Sequence, residues 1–68
     1  MDGKKIGKKL KDLRTAKGCT VTEVAKACRI SPQAVTQYES GERIPRDDTK
    51  IDLANYFQTT VGCIFFAD

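Results

Sequence analysis

Two helix-start signals, eleven residues apart, constrain this chain more than any other feature of its sequence. The first is Thr20-Val21-Thr22-Glu23. This is a capping box, in which the threonine hydroxyl accepts the amide three residues on and the glutamate reaches back to the threonine amide. Cys19 and Val24 flank it at the two hydrophobic-staple positions. The second start is Ser31-Pro32. Serine is a favoured N-cap, and proline suits the first helical position, where its missing N–H had no intrahelical partner. The proline also keeps Ser31 out of the helical region, which sharpens the turn. A helix begun at Val21 must therefore end near Cys28. After a three-residue turn a second short helix spans Pro32 to Ser40 and closes at Gly41. A helix of barely two turns does not persist alone in water, so tertiary packing has to hold it.

The flanking segments supply that packing. Ile6, Leu10, Leu13 and Lys17 fall at helical spacing, and Gly18 ends this first helix. The second helix turns Val24, Ala25 and Cys28 inward. The third turns Val35 and Tyr38 inward, with Ala34 at the boundary and Gln33, Thr36 and Gln37 outward. Residues 41–46, "GERIPR", form an irregular connector that Pro45 keeps from becoming helical. Asp47 or Asp48 is the expected cap of a fourth helix to about Phe57, with Leu53, Ala54 and Phe57 on one face. Lys50 falls near the centre of that face, where a lysine is accommodated by snorkelling. Thr60 caps a last short helix, Val61 to Phe66, which adds Ile64 and Phe65 to the core. No strand alternation and no internal repeat is present. The expectation is all-α: a compact five-helix bundle, one domain over residues 1–68, with a helix-turn-helix at about 20–40.

With 68 residues, a domain buries only about 60% of its unfolded surface, which leaves no room for a deep cleft beside the core. There is no histidine, no nucleophile set beside a base and no glycine-rich phosphate loop. An enzyme, a cofactor and a small-molecule ligand are accordingly not expected. Three cysteines at wide spacing without histidine do not make a zinc site, so no metal is expected. They are read as small buried or half-buried apolar residues in a reducing compartment. No apolar run reaches the roughly 20 residues needed to span a bilayer, and the lysine-rich start lacks the apolar stretch of a signal peptide. A cytoplasmic location with no membrane partner is the expectation.

Charge is unevenly spread. Residues 1–17 carry seven basic and two acidic side chains, whereas residues 18–68 carry five basic and seven acidic ones. A positive end on a small domain fits a polyanionic partner, although a solvated lysine face is the commoner reason for one. A helix, a three-residue turn and a second helix in a minimal bundle point the same way. The major groove admits one helix, whose first turns reach base edges while the preceding helix crosses the backbone. Such a helix can be short and must not bring carboxylates against phosphates. Residues 32–38 contain none.

The stretch "TVTEVAKACRISPQAVTQYESGERIP" resembles the helix-turn-helix domain of phage repressors, Cro proteins and bacterial regulators of the xenobiotic-response-element type. The matching positions are Thr20, Glu23, Val24, Ala25, Ile30, Ser31, Val35, Tyr38, Glu39, Gly41, Arg43 and Pro45. The closing "IDLANYFQTTVGCIFF" is similar to the family's last two helices, so the likeness spans about residues 5–66. It implies a lambda-repressor-like fold and a sequence-specific transcriptional regulator, a repressor rather than an activator. Such a protein binds a short inverted repeat of double-stranded DNA as a homodimer. By the same resemblance Gln33, Thr36 and Gln37 read bases. Thr20, Thr22, Arg29, Ser31, Ser40, Arg43 and Arg46 are backbone candidates, with Lys4, Lys5 and Lys8 near phosphate from the first helix. Arg14 and Glu39 match a family ion pair that clamps the first helix to the reading helix.

The chain departs from the family pattern at three positions. Val21 replaces a phosphate-binding glutamine, Arg29 replaces the turn glycine and so has to adopt a left-handed conformation, and Pro32 stands where a polar reader is common. The different-class alternative is an antitoxin or other protein-interaction module on the same fold. Such a surface would place Leu, Met or aromatic residues on the third helix, where this chain has Gln, Thr and Gln. Phe66 is surplus to a core of this size and suits a dimer contact.

Overall fold

A computed structural model describes residues 2–66. Five helical elements follow in order, with no strand among the described residues: α1 (Gly3–Lys17), α2 (Val21–Ala27), α3 (Pro32–Ser40), α4 (Asp47–Tyr56) and α5 (Gly62–Phe66). The Cα radius of gyration is 10.3 Å, close to the about 11 Å expected of a folded chain this long.

Local chemistry starts three of the helices. Asp2 caps α1 by accepting from the Lys4 amide at 2.9 Å. The capping box of α2 is complete, with Glu23 N–H to Thr20 Oγ1 at 3.1 Å and Thr20 N–H to Glu23 Oε1 at 2.9 Å. Ser31 Oγ accepts from the Ala34 amide at 3.1 Å above Pro32 at the head of α3.

The first four helices end alike. In each, one amide reaches back three residues and the next reaches back five, the paired bonds of a Schellman motif. The left-handed residue is Gly18 after α1 and Gly41 after α3, but Arg29 after α2 and Gln58 after α4. Arg29 has φ +59° and Gln58 φ +56°. A side chain there costs roughly 1–2 kcal/mol relative to glycine. The conformation expected of Arg29 is present; that of Gln58 had no counterpart in the sequence reading.

One core serves all five elements: Ile6 and Leu10 of α1, Val24, Ala25 and Cys28 around α2, Ala34, Val35 and Tyr38 of α3, Leu53 and Ala54 of α4, and Ile64 and Phe65 of α5. Ala34 is fully part of it rather than at its edge. Leu13 is half-buried, and Lys17 leaves the α1 stripe for the surface, its Nζ 4.9 Å from the Tyr56 ring centroid.

The most extensive helix contact is α1 against α3, followed by α2 against α3. The first depends on glycine. A Cβ on Gly7 would lie 2.6 Å from the Tyr38 carbonyl oxygen and 2.8 Å from the Glu39 carbonyl carbon. One on Gly3 would lie 2.9 Å from the Gly41 carbonyl oxygen. Four residues apart, Gly3 and Gly7 share one face of α1 and let its backbone lie directly on the end of α3.

Three expectations need correction. Neither Asp47 nor Asp48 caps α4. Arg46 holds the N-cap position without a side-chain bond, and both aspartates lie in the first turn, where carboxylates favour the positive end of the helix dipole. The last helix is a wider π-type turn starting at Gly62, with Thr60 Oγ1 accepting from the Cys63 amide at 3.1 Å. Cys63 is exposed, whereas Cys28 is buried and Cys19 half-buried. The π-type turn directs the neighbouring Ile64 and Phe65 into the core and leaves the thiol outside. Lys50 is buried in α4, as its position on the inward face implied. Its ammonium lies 5.7 and 5.3 Å from the Phe65 and Phe66 ring centroids and 3.7 Å from Asp47 Oδ1. Two aromatic faces and a carboxylate together compensate that charge.

Candidate nucleic-acid interface

The outward face of α3 carries the three residues expected to read bases. Gln33 is exposed, and its side-chain amide makes no hydrogen bond to the described residues. Thr36 is exposed, with its hydroxyl donating back to the Pro32 carbonyl at 3.1 Å. That bond engages the donor and leaves the oxygen lone pairs and the methyl group. Gln37, one turn beyond Gln33, is only half-exposed and is bonded to Arg43. The face holds no carboxylate, since Glu39 turns toward α1.

There Glu39 forms a two-pronged pair with Arg14. Nε to Oε2 is 2.6 Å and Nη2 to Oε1 is 3.1 Å, while Nη1 donates to the Cys19 carbonyl at 3.1 Å. The fork geometry of guanidinium matches a carboxylate, and a third bond to the chain end before α2 gives it a structural grip. The hydrogen bond with Glu39 raises the Arg14 pKa further above its ordinary value. Arg14 thus ties α1, the α1–α2 junction and α3 together, and with the glycine contact it leaves α3 little freedom to tilt.

Behind α2 a second polar contact braces the pair of helices. Cys19 Sγ and the Tyr56 hydroxyl are 3.1 Å apart. This hydrogen bond, with some burial, pushes the Tyr56 pKa up to about 12. Burial and then the charge of Asp52 push the Cys28 thiol up to about 11. The Tyr56 hydroxyl and the Cys28 thiol stay neutral and belong to the scaffold.

The residues expected at the DNA backbone separate into two groups. Thr20 and Ser31 spend their side-chain oxygens on helix amides. Ser40 donates to the Gln37 carbonyl at 3.1 Å and lies 3.1 Å from Glu42 Oε1. Thr22, Arg29 and Arg46 are exposed, and their side chains make no hydrogen bond to the described residues. Arg43 is exposed and stands 5.5 Å from the Tyr38 ring centroid. Lys4, Lys5 and Lys8 are exposed along α1. Gly3 and Gly7, which hold α3 in place, had escaped the sequence reading; their four-residue spacing on the inward side of α1 was the available signal.

The helix-turn-helix family model matches residues 10–62. The chain belongs to the helix-turn-helix family. Two solved structures of the clp gene regulator ClgR from Corynebacterium glutamicum share the fold. One superposes with a TM-score of 0.88 at 23% identity, covering 97% of this chain and 70% of the other. The second gives 0.84 at 23% identity, covering 97% and 86%. No curated protein sequence shows a significant match. In this helix-turn-helix protein α2 and α3 are the defining pair, and the chain is a DNA-binding transcriptional regulator of the Cro/C1 type. No helix among the described residues is long and apolar enough to cross a membrane.

Proposed function

We propose that the protein is a cytoplasmic repressor, not an enzyme, that inserts α3 into the major groove of a short inverted repeat as a homodimer. The observation that carries this reading is the carboxylate-free face of α3, Gln33, Thr36 and Gln37, on a helix locked by Arg14–Glu39 and by the Gly7 contact. A reading helix must be held rigidly, because a bidentate base contact tolerates little misplacement. The exposed amide of Gln33 has a donor and an acceptor at one end, the pattern that matches N7 and N6 of adenine. Thr22, Arg29, Arg46 and Lys4, Lys5 and Lys8 of α1 are the groups available to phosphates. Occupying an operator suffices for repression, whereas activation needs a further surface aimed at the transcription machinery.

Two observations support the dimer. One short helix reads only a few base pairs, and with extents of 27 × 23 × 22 Å two copies side by side can set equivalent helices about 34–36 Å apart on one face of the duplex. Ile51 and Phe66 are 52% and 65% exposed and border a shared groove with Val61 that no residue of α3 lines. That separation also weighs against an antitoxin-like use of α3, since the apolar surface lies elsewhere.

Selection from a pool of random duplexes at moderate salt tests the reading. A recovered site with two related halves is expected, and absence of any preferred sequence would refute it. Gln33→Ala should relax one position in each half. Replacing an α1 lysine that touches phosphate should weaken binding to all sequences and reduce the salt slope by about one.

A further inference from the structure

Gln33 and Gln37 lie on the same face of α3 but are chemically unlike. Arg43 donates from Nη1 to Gln37 Oε1 at 3.3 Å, and its backbone N–H donates to the Gln37 carbonyl at 3.3 Å. Its guanidinium stands over Tyr38, 5.5 Å from the ring centroid, so the arginine is anchored by a ring on one side and a helix end on the other. A guanidinium has five donors and no acceptor, so only the oxygen end of the Gln37 amide can face it. The orientation of that amide is thereby set before any DNA arrives.

A free glutamine reads adenine by donating to N7 and accepting from N6–H, which uses both ends of the amide. In Gln37 the accepting end already bonds a cation. The positive charge beside it opposes the approach of an N6–H dipole, whose hydrogen is also positive. What remains directed away from the pair is the two N–H groups of Nε2 and the unused N–H groups of Arg43. The pair therefore presents mostly donors, since the one lone pair left on Gln37 Oε1 lies beside the guanidinium charge. Among the bases, guanine is the one whose major-groove edge offers two acceptors, O6 and N7, and no donor.

We propose that Gln37 and Arg43 form a single donor-rich reader that selects guanine, with Arg43 as a positioning residue that disfavours adenine among the choices of Gln37. This rests on α3 being the base-reading helix, as proposed above. It makes the two glutamines of α3 read different bases despite their identical side chains.

The test is selection from random duplexes with the full chain as wild type, Gln37→Ala, Arg43→Ala and Arg43→Met, the last keeping an apolar side chain over Tyr38. The position read by Gln37 is the one whose preference Gln37→Ala flattens. Guanine is expected there in the wild type. Either Arg43 variant should shift that single position toward adenine by about tenfold, the discrimination of one bidentate contact, and leave the other positions unchanged. Four results would overturn the proposal while leaving DNA reading intact: adenine at that position in the wild type, no position responding to Gln37→Ala, guanine retained in both Arg43 variants, or a uniform loss of affinity without a change of base. Absence of any selected site for the wild type would instead remove the reading on which the proposal rests.

Discussion

Replacing Gly7 with alanine should destabilise the protein, although glycine inside a helix is ordinarily the poorer residue. Helix propensity alone favours alanine by about 1 kcal/mol. Against this, the new Cβ would lie 2.6 Å from the Tyr38 carbonyl oxygen and 2.8 Å from the Glu39 carbonyl carbon, where ordinary contact begins near 3.4 Å. The obstructing atoms are backbone, so no side chain can rotate away. Relief requires α1 and α3 to separate by most of an ångström at their closest point, loosening Ile6, Leu10, Val35 and Tyr38 around them. Overpacking of this kind costs about 1–3 kcal/mol, occasionally more. Because the clash involves several backbone atoms, the upper part of that range applies, and the net loss is about 2 kcal/mol after the propensity gain. A chain of this length holds roughly 3–10 kcal/mol of stability in all. In urea unfolding followed by far-ultraviolet circular dichroism the midpoint should fall, with melting lowered by about 8–16 °C. Gly62→Ala is the control, since its Cβ meets only Thr60 Oγ1 at 3.9 Å; it should leave stability unchanged or slightly higher. A Gly7→Ala variant as stable as the wild type would refute the close-approach argument and the account of how α3 is positioned.

Four further outcomes are expected. Arg29→Gly should stabilise by about 0.5–1 kcal/mol, the left-handed strain relieved less the entropy glycine adds to the unfolded chain; Gln58→Gly should behave alike, and unchanged urea midpoints would show that neither site is strained. Glu39→Ala should cost about 2–3 kcal/mol, below the 3–5 of a fully buried pair, because the two side chains keep 18% and 10% of their exposure; a loss under about 0.5 kcal/mol would mark it as an ordinary surface pair. The raised Cys28 pKa predicts alkaline destabilisation. Above about pH 9 the unfolded thiol ionises while the folded one, near 11, stays protonated. The unfolded state then holds fewer protons, so stability falls with rising pH until the folded thiol also ionises. Urea midpoints across this window should decline more steeply in the wild type than in Cys28→Ala, and equal slopes would refute the assignment. Hydrogen bonds from Thr60 and Thr59, aided by Lys9, lower the Cys63 pKa, so iodoacetamide should label Cys63 first and Cys28 last.

The local grammar of this chain was open to reading because its causes lie within a few residues of one another. The Thr20–Glu23 capping box, the Ser31–Pro32 start and the stops at Gly18 and Gly41 each depend on neighbours no more than five positions away. The left-handed conformation of Arg29 was expected only because the family it resembles has a glycine there. The inward residues of α2 and α3 followed from the same periodicity. The Arg14–Glu39 contact, across 25 positions, was reached only through resemblance to a family. Tertiary structure decided the rest, because those features depend on how far apart two elements come to lie. Gly7 matters only once the end of α3 lies across it. The exposure of Cys63 follows from a π-type turn that the core demands of Ile64 and Phe65. Lys50 becomes acceptable in an inward face only where two phenylalanine rings arrive over it. Gln33 and Gln37 carry the same side chain on the same face, and only the folding back of the connector, which brings Arg43 to one of them, makes them different.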